Sequence, residues 1–365
     1  MRAGLAAGLG LWALAACGHP AHDQGPCLPP VYDGGQRLHG LPGAKVFDLD
    51  LLLRQHELCW RRPAAAGERR VALLGSSAVF GFPLAAEQTL SADLNARLAR
   101  DGVAAHVFNL AFVNPDQLRD AMILDAALPY HLDAIVYPLT LAEFSHIAPT
   151  RFPPLVNFYA ANLDRMAQLS QAPPAGLAEP LQHYAGFIAN QRAIRSPLAW
   201  VPDAAALLRA GLRDRGRRIG LALTGTAPPP DARSRGRQPA YDCAKTQRDT
   251  ALRYGEGWAT WNILAELERV QRERGIPVLI AYWPVAHEPQ GDCYSVRYTN
   301  AQVREFGAWV QQESAARGLA YVDLHTLLPP DLFLDSLHVS PAGQQRIAAA
   351  LAGPLETLLA DRPAR

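Results

Sequence analysis

Short apolar runs alternate along much of this 365-residue chain with longer segments of helical periodicity. Arg70–Gly75 is the first run, followed by Val103–Leu110, Asp133–Leu139, Ile276–Trp283 and Leu319–Leu324. Between them, Leu90, Leu94 and Leu98 mark one face of a helix over Ala86–Arg100. Helices over Gln117–Leu128, Trp261–Arg274, Ala301–Arg317 and Pro341–Leu359 continue the alternation, and Gly275 and Gly318 stop two of them. A helix after each strand carries the chain back to the edge where that strand began. Repeated at this spacing, the units pair as a parallel sheet with helices on both faces. The residues predict this core over 70–147 and 261–361.

The material between the two halves breaks the pattern. Residues 148–260 contain Pro153-Pro154, Pro173-Pro174 and Pro228-Pro229-Pro230, with helical stretches near Asn157–Gln171 and Asp203–Arg213. Eight arginines from Arg209 to Arg237 concentrate charge there. One reading is a solvated helical insertion with a loop at Thr224–Pro239. The other is a cap whose arginines meet anionic glycan or lipid headgroups. Overall charge does not choose between them: 35 Lys+Arg oppose 34 Asp+Glu, a net of +1. That balance supplies no field to attract a polyanion and argues against nucleic acid as a partner.

The amino-terminal stretch differs again. Met1-Arg2 precedes an unbroken small and apolar run, Ala3 to Ala16, and then Cys17. The run is short for a bilayer span but suits an export signal. Leu14-Ala15-Ala16-Cys17 resembles the lipobox of bacterial lipoproteins, which implies cleavage before Cys17 and lipidation of that residue. An ordinary secretory signal is the alternative. Gly18 stands where Asp marks retention at the inner membrane in that class, so the resemblance implies an outer-membrane anchor facing the periplasm. Four cysteines remain: Cys27, Cys59, Cys243 and Cys293. Proximity in sequence suggests Cys27–Cys59 and Cys243–Cys293, although four cysteines allow three pairings. No Cys-x-x-Cys or His-x-x-x-His spacing supports a metal site, no glycine-rich phosphate loop is present, and no cofactor is expected. The chain then divides into a signal peptide (1–16), a tether and helix (17–69, with one amphipathic stretch at Phe47–Trp60), a first core segment (70–147), the insertion (148–260) and a second core segment (261–365).

Two loops carry chemistry. Leu74-Gly75-Ser76-Ser77-Ala78-Val79-Phe80-Gly81 follows the first strand, at the carboxyl edge where open parallel sheets bind their ligands. A serine there is commonly a helix cap. Asp335-Ser336-Leu337-His338 precedes the last helix, for which Ser340 and Pro341 read as cap and first residue. A carboxylate three residues before an imidazole can fix its tautomer and support its protonated form.

Ser77 after the first strand and Asp335-x-x-His338 before the last helix, in this order on an alternating chain, resemble the SGNH (GDSL-type) hydrolase superfamily. Glu87-Gln-Thr-Leu, Asn109-Leu-Ala and His338-Val-Ser-Pro-Ala-Gly343 add to the resemblance. It covers the core alone, not the N-terminal segment or the helical insertion read above, and implies a flavodoxin-like three-layer α/β/α fold with a mostly parallel five-stranded sheet. It also implies Ser77 as nucleophile, His338 as general base and acid, and Asp335 as the group orienting His338. Ser77 and Asn114 are the positions implied for the oxyanion hole, with Thr140 a candidate replacement donor for the family's third-block Asn. Ser76 replaces the family's Asp, and Pro138-Leu-Thr140-Leu-Ala142-Glu143 stands where the family has Gly-x-Asn-Asp. The expected activity is a serine ester hydrolase or O-acyltransferase acting on acyl esters, acetyl above all, of envelope polysaccharide or lipid. The alternative is a catalytically impaired lipoprotein that binds envelope glycan or assists assembly. Asp323-Leu-His325, His146, Glu143 and Tyr282-Trp283 are secondary candidates, with structural roles as their default.

Overall fold

The computed structural model describes residues 27, 38, 48–60, 67–113, 115–144, 158–159, 161–166, 263–287 and 298–360. Each apolar run becomes a strand: β1 (Arg69–Leu73), β2 (Ala105–Asn109), β3 (Ala134–Leu139), β4 (Val278–Tyr282) and β5 (Ala320–Asp323). All neighbours pair in parallel, in the order β2-β1-β3-β4-β5. This is the flavodoxin-like order, and the direction of winding reverses between β1 and β3. The carboxyl ends of those two strands therefore part from connections running to opposite faces, leaving a crevice for a ligand.

α1 (Leu49–Arg54) and α2 (Glu57–Trp60) precede the sheet, and helices follow each strand: α3 (Ser77–Phe80) and α4 (Leu90–Arg100) after β1, α5 (Gln117–Ala127) after β2, α6 (Ile263–Arg274) after β3, α7 (Asn300–Ala316) after β4 and α8 (Pro341–Ala360) after β5. Alternate strand residues define two cores. Ala72, Phe108, Ile135, Tyr137 and Ile280 pack with α1, α5, α6 and α7. Val71, Leu73, Val136, Ala281 and Trp283 pack with α3, α4 and α8. Burial on both faces explains why these strands read as unbroken apolar runs. Each fully buried Leu or Ile contributes roughly 1.5–3 kcal/mol by leaving water. The exposed edge of β2 is occupied by Asn95, which accepts the Val107 N–H (2.7 Å) and donates to the Val107 carbonyl (3.0 Å).

Local caps shift two predicted boundaries. The helix predicted over Ala86–Arg100 starts at Leu90, because the Thr89 hydroxyl accepts the Ala92 N–H; Ala86–Gln88 form a 3₁₀ turn. The single helix predicted over Phe47–Trp60 is two helices, broken where His56 Nδ1 accepts the Leu58 N–H at 3.0 Å. Cys59 in α2 is bonded to Cys27, with Cα atoms 5.8 Å apart. Cys17, Cys243 and Cys293 lie outside the described residues, as does most of 148–260. Residues 158–159 and 161–166 are helical, as predicted near Asn157–Gln171, and pack into the first core. There Phe158 meets Phe112 and the Asn162 side chain accepts the Leu49 N–H at 2.8 Å. Among the described residues no helix is long and apolar enough to cross a membrane.

The first turn of α8 packs close to the loop before it. A Cβ on Gly343 would lie 2.2 Å from Val339 Cγ1 and 3.0 Å from the Leu332 carbonyl oxygen. Gly343→Ala is expected to lower stability by about 1–3 kcal/mol in urea unfolding, the range for overpacking a fitted contact. An unchanged midpoint would show that this contact relaxes freely.

Candidate active site

β1 delivers the chain to Gly75, whose φ of +133° is open only to glycine. A Cβ there would also meet Val79 Cγ2 at 2.9 Å. Ser76 caps the single turn of α3 in extended geometry, and Ser77 is its first residue. The turn is tied down at both ends. Its first carbonyls receive Phe80 N–H on Ser76 (2.9 Å) and Gly81 N–H on Ser77 (3.1 Å). Its last carbonyls face side chains from other elements: Gln344 of α8 donates to Ala78 (3.4 Å), and Asn109 approaches those of Val79 and Phe80. Such partners satisfy the acceptors that a helix end leaves open.

Asp335 and His338 occupy a tight loop closed by the Phe333–Val339 bridge and by the Leu334 N–H on the His338 carbonyl at 2.7 Å. Ala286, beyond β4, donates to the Ser336 carbonyl at 3.1 Å. Asp335 Oδ1 accepts the N–H groups of Leu337 (2.8 Å) and His338 (2.7 Å), which leaves Oδ2 for His338 Nδ1 at 2.6 Å. His338 Nε2 lies 2.9 Å from Ser77 Oγ. An ionised carboxylate only accepts, so Nδ1 carries the proton and Nε2 of the neutral ring accepts the Ser77 hydroxyl. Burial pushes the Asp335 carboxyl up, but hydrogen bonds from the His338 ring and from two backbone N–H groups outweigh it and hold the carboxyl at about 2. Asp335 thus remains ionised at neutral pH. Its contribution to stability is complete above the ordinary carboxylate range and is lost as pH falls through about 2.

The remaining predicted positions divide. No acceptor among the described residues takes the Ser77 N–H, which stands at the start of α3 beside its own hydroxyl. Asn114 and His146 lie outside the described residues. Thr140 directs both its N–H (2.8 Å) and its hydroxyl to Glu143 Oε2, so both donors are already engaged within their own turn. The reason is burial: Glu143 is 7% exposed, and a carboxyl removed from water draws in the nearest donors. Desolvation raises the Glu143 carboxyl to about 7, against the lowering effect of Thr140. Trp283 and Tyr282 are core residues, with Tyr282 OH donating to the Val303 carbonyl at 3.2 Å. Asp323 and His325 do form a pair (2.6 Å), but the ring stacks on Tyr282 beyond β5. Among the described residues no group of three or more His, Cys, Asp or Glu is placed to hold a metal.

Sequence reasoning missed the support under these loops. Arg119 of α5 is fully buried and donates to the Val113 carbonyl (2.7 Å) and toward the Gly75 carbonyl (3.4 Å). It pairs with Asp120, whose other oxygen accepts the Tyr137 hydroxyl at 2.9 Å. One cation thus holds the backbone just before the Ser76-Ser77 turn and the end of the loop after β2. Charges inside the otherwise apolar α5 were the available signal. Phe82 was missed as well. Its ring stands edge-on to His338, with centroids 5.5 Å apart.

No known family profile matches the sequence, and no curated protein matches it. Solved structures with a related chain trace include a carbohydrate acetylesterase family member from Sinorhizobium meliloti, at 12% identity and TM-score 0.36, covering 80% of this chain and 99% of that one. A lipase/acylhydrolase from Enterococcus faecalis shows 14% identity and TM-score 0.40, covering 79% and 96%. A GDSL-like lipase from Bacteroides thetaiotaomicron shows 10% identity and TM-score 0.36, covering 79% and 88%.

Glu143 yields a pH test. Between the ordinary Glu range and about 7 the folded protein holds a proton that the unfolded chain has released, so stability falls as pH rises across that window. Glu143→Gln keeps an acceptor for Thr140 and cannot ionise. In thermal melts it is expected to match the wild type near pH 5 and exceed it at pH 8. A variant less stable than wild type at pH 8 would contradict this reading.

Proposed function

We propose that the protein is an SGNH-type serine ester hydrolase or O-acyltransferase working through an acyl-enzyme on Ser77. The carrying observation is the continuous chain from Asp335 Oδ2 through His338 to Ser77 Oγ, at 2.6 and 2.9 Å. In this reading His338 Nε2 takes the Ser77 proton as Oγ attacks the ester carbonyl. The Ser77 N–H stabilises the oxyanion, and Asp335 supports the transient imidazolium. Collapse breaks the ester bond, and His338 returns the proton to the departing alcohol. Water, or a hydroxyl of a second substrate, then takes the acyl group by the reverse sequence. The chemistry asks for no metal or cofactor.

Lipidation at Cys17 would tether this chemistry to the cell envelope, on the outer membrane facing the periplasm. The substrates in reach there are O-acyl groups, acetyl above all, on envelope polysaccharide or lipid. A tethered protein in which the Ser77 N–H is the one predicted oxyanion donor left free among the described residues also fits a second reading, an impaired enzyme that binds envelope glycan or assists assembly. The engagement of both Thr140 donors by Glu143 favours it, since one missing donor costs roughly 10²–10³ in rate.

Fluorophosphonate labelling separates the two. Wild type is expected to take up one equivalent at Ser77, and Ser77→Ala none. Ester hydrolysis in Ser77→Ala and His338→Ala is expected to fall by at least ~10³. A folded wild type that refuses the label would overturn the enzyme reading.

A further inference from the structure

We infer that Phe82 is the wall of the subsite for the alcohol part of the ester, and that this alcohol carries a ring; the inference rests on the ester-cleaving reading above. Among the described residues Phe82 is the one large apolar side chain that is exposed, at 53%. Its position is fixed by the nucleophile turn. The Phe82 N–H donates to the Ser77 carbonyl at 3.1 Å, and the Leu84 N–H to the Gly81 carbonyl at 2.7 Å. Gly81, at φ +84°, turns the chain between them so closely to Thr89 that a Cβ would lie 2.7 Å from Thr89 Cγ2. A ring held this way, half in water and edge-on to the imidazole, offers a fixed apolar surface beside the reacting atoms.

Reaction geometry decides which part of the substrate meets it. In the tetrahedral intermediate the Nε2 proton must pass from Ser77 Oγ to the leaving oxygen, so the alcohol lies on the His338 side of the carbonyl carbon. The acyl group occupies another corner of the tetrahedron. A side chain packed on the His338 ring therefore borders the alcohol. The same surface would meet the incoming acceptor in the transfer direction. An aromatic surface favours an occupant with a ring, either aryl or the C–H face of a sugar.

The test compares Phe82→Ala with wild type on esters that share an acetyl group. Benzyl acetate and a 6-O-acetyl methyl glucoside carry rings; ethyl acetate does not. kcat/KM is expected to fall about 3- to 10-fold more for the ring-bearing esters than for ethyl acetate, the size of one aromatic contact. Phe82→Trp is expected to restore the ring preference. A loss on benzyl acetate alone would assign the subsite to aryl alcohols, and a loss on the glucoside alone to sugars. The ratio of ethyl acetate to ethyl butyrate is expected to be the same in both proteins. An equal loss on all three acetates, or an altered acyl preference, would overturn the inference. Fluorophosphonate, whose leaving group is fluoride, is expected to label Ser77 in both wild type and Phe82→Ala. Wild type that refuses the label would overturn the ester-cleaving reading and this inference with it. Labelling with no dependence on the alcohol would overturn this inference alone.

Discussion

The hydrogen bond between Ser77 Oγ and His338 Nε2 joins loops 261 residues apart in the chain, and the surrounding architecture serves to keep it short. Ser77 is placed by the end of β1 and by a single helical turn that could not stand alone. His338 is placed by a loop held between β4 and α8. A parallel sheet brings both to the same carboxyl edge. Displacing either loop by about an ångström would break this contact, and a misplacement of that size between reacting groups typically costs about 10²-fold in rate.

Several buried polar groups meet backbone carbonyls rather than substrate. Gln344 and Asn109 face the end of the Ser76-Ser77 turn, and Arg119 reaches the carbonyls of Gly75 and Val113. Each contact is modest in free energy, and several are long. Together they fix the direction of the peptide groups around Ser77, which no apolar packing could do. The buried Arg119–Asp120 pair suits this role because a pair of this kind is costly to break by removing one partner.

The strands were legible in the sequence because burial on both faces leaves no polar alternation to confuse the pattern. The residues of the Asp335–His338–Ser77 hydrogen-bond chain could be picked out because Ser77 and Asp335-x-x-His338 sit in short motifs next to element boundaries. What could not be read depends on tertiary neighbours. Thr140 looks like a donor available for an oxyanion until the fold buries Glu143 beside it. Phe82 looks like one more core aromatic until Gly81 turns it outward. The break at His56 depends on an imidazole nitrogen capping the next turn, a role that residue type alone does not announce. Tyr282 and Trp283 remain core residues, because the strand they end is central and covered.

The most direct test is acid-quenched intact mass analysis of the protein mixed with an activated acetate ester, followed by peptide mapping. One acetyl group on the peptide containing Ser77, absent from Ser77→Ala and lost with time to water or faster on addition of an acceptor alcohol, is the expected result. Ester turnover with the acetyl group on a different residue, or with turnover undiminished in Ser77→Ala, would contradict it.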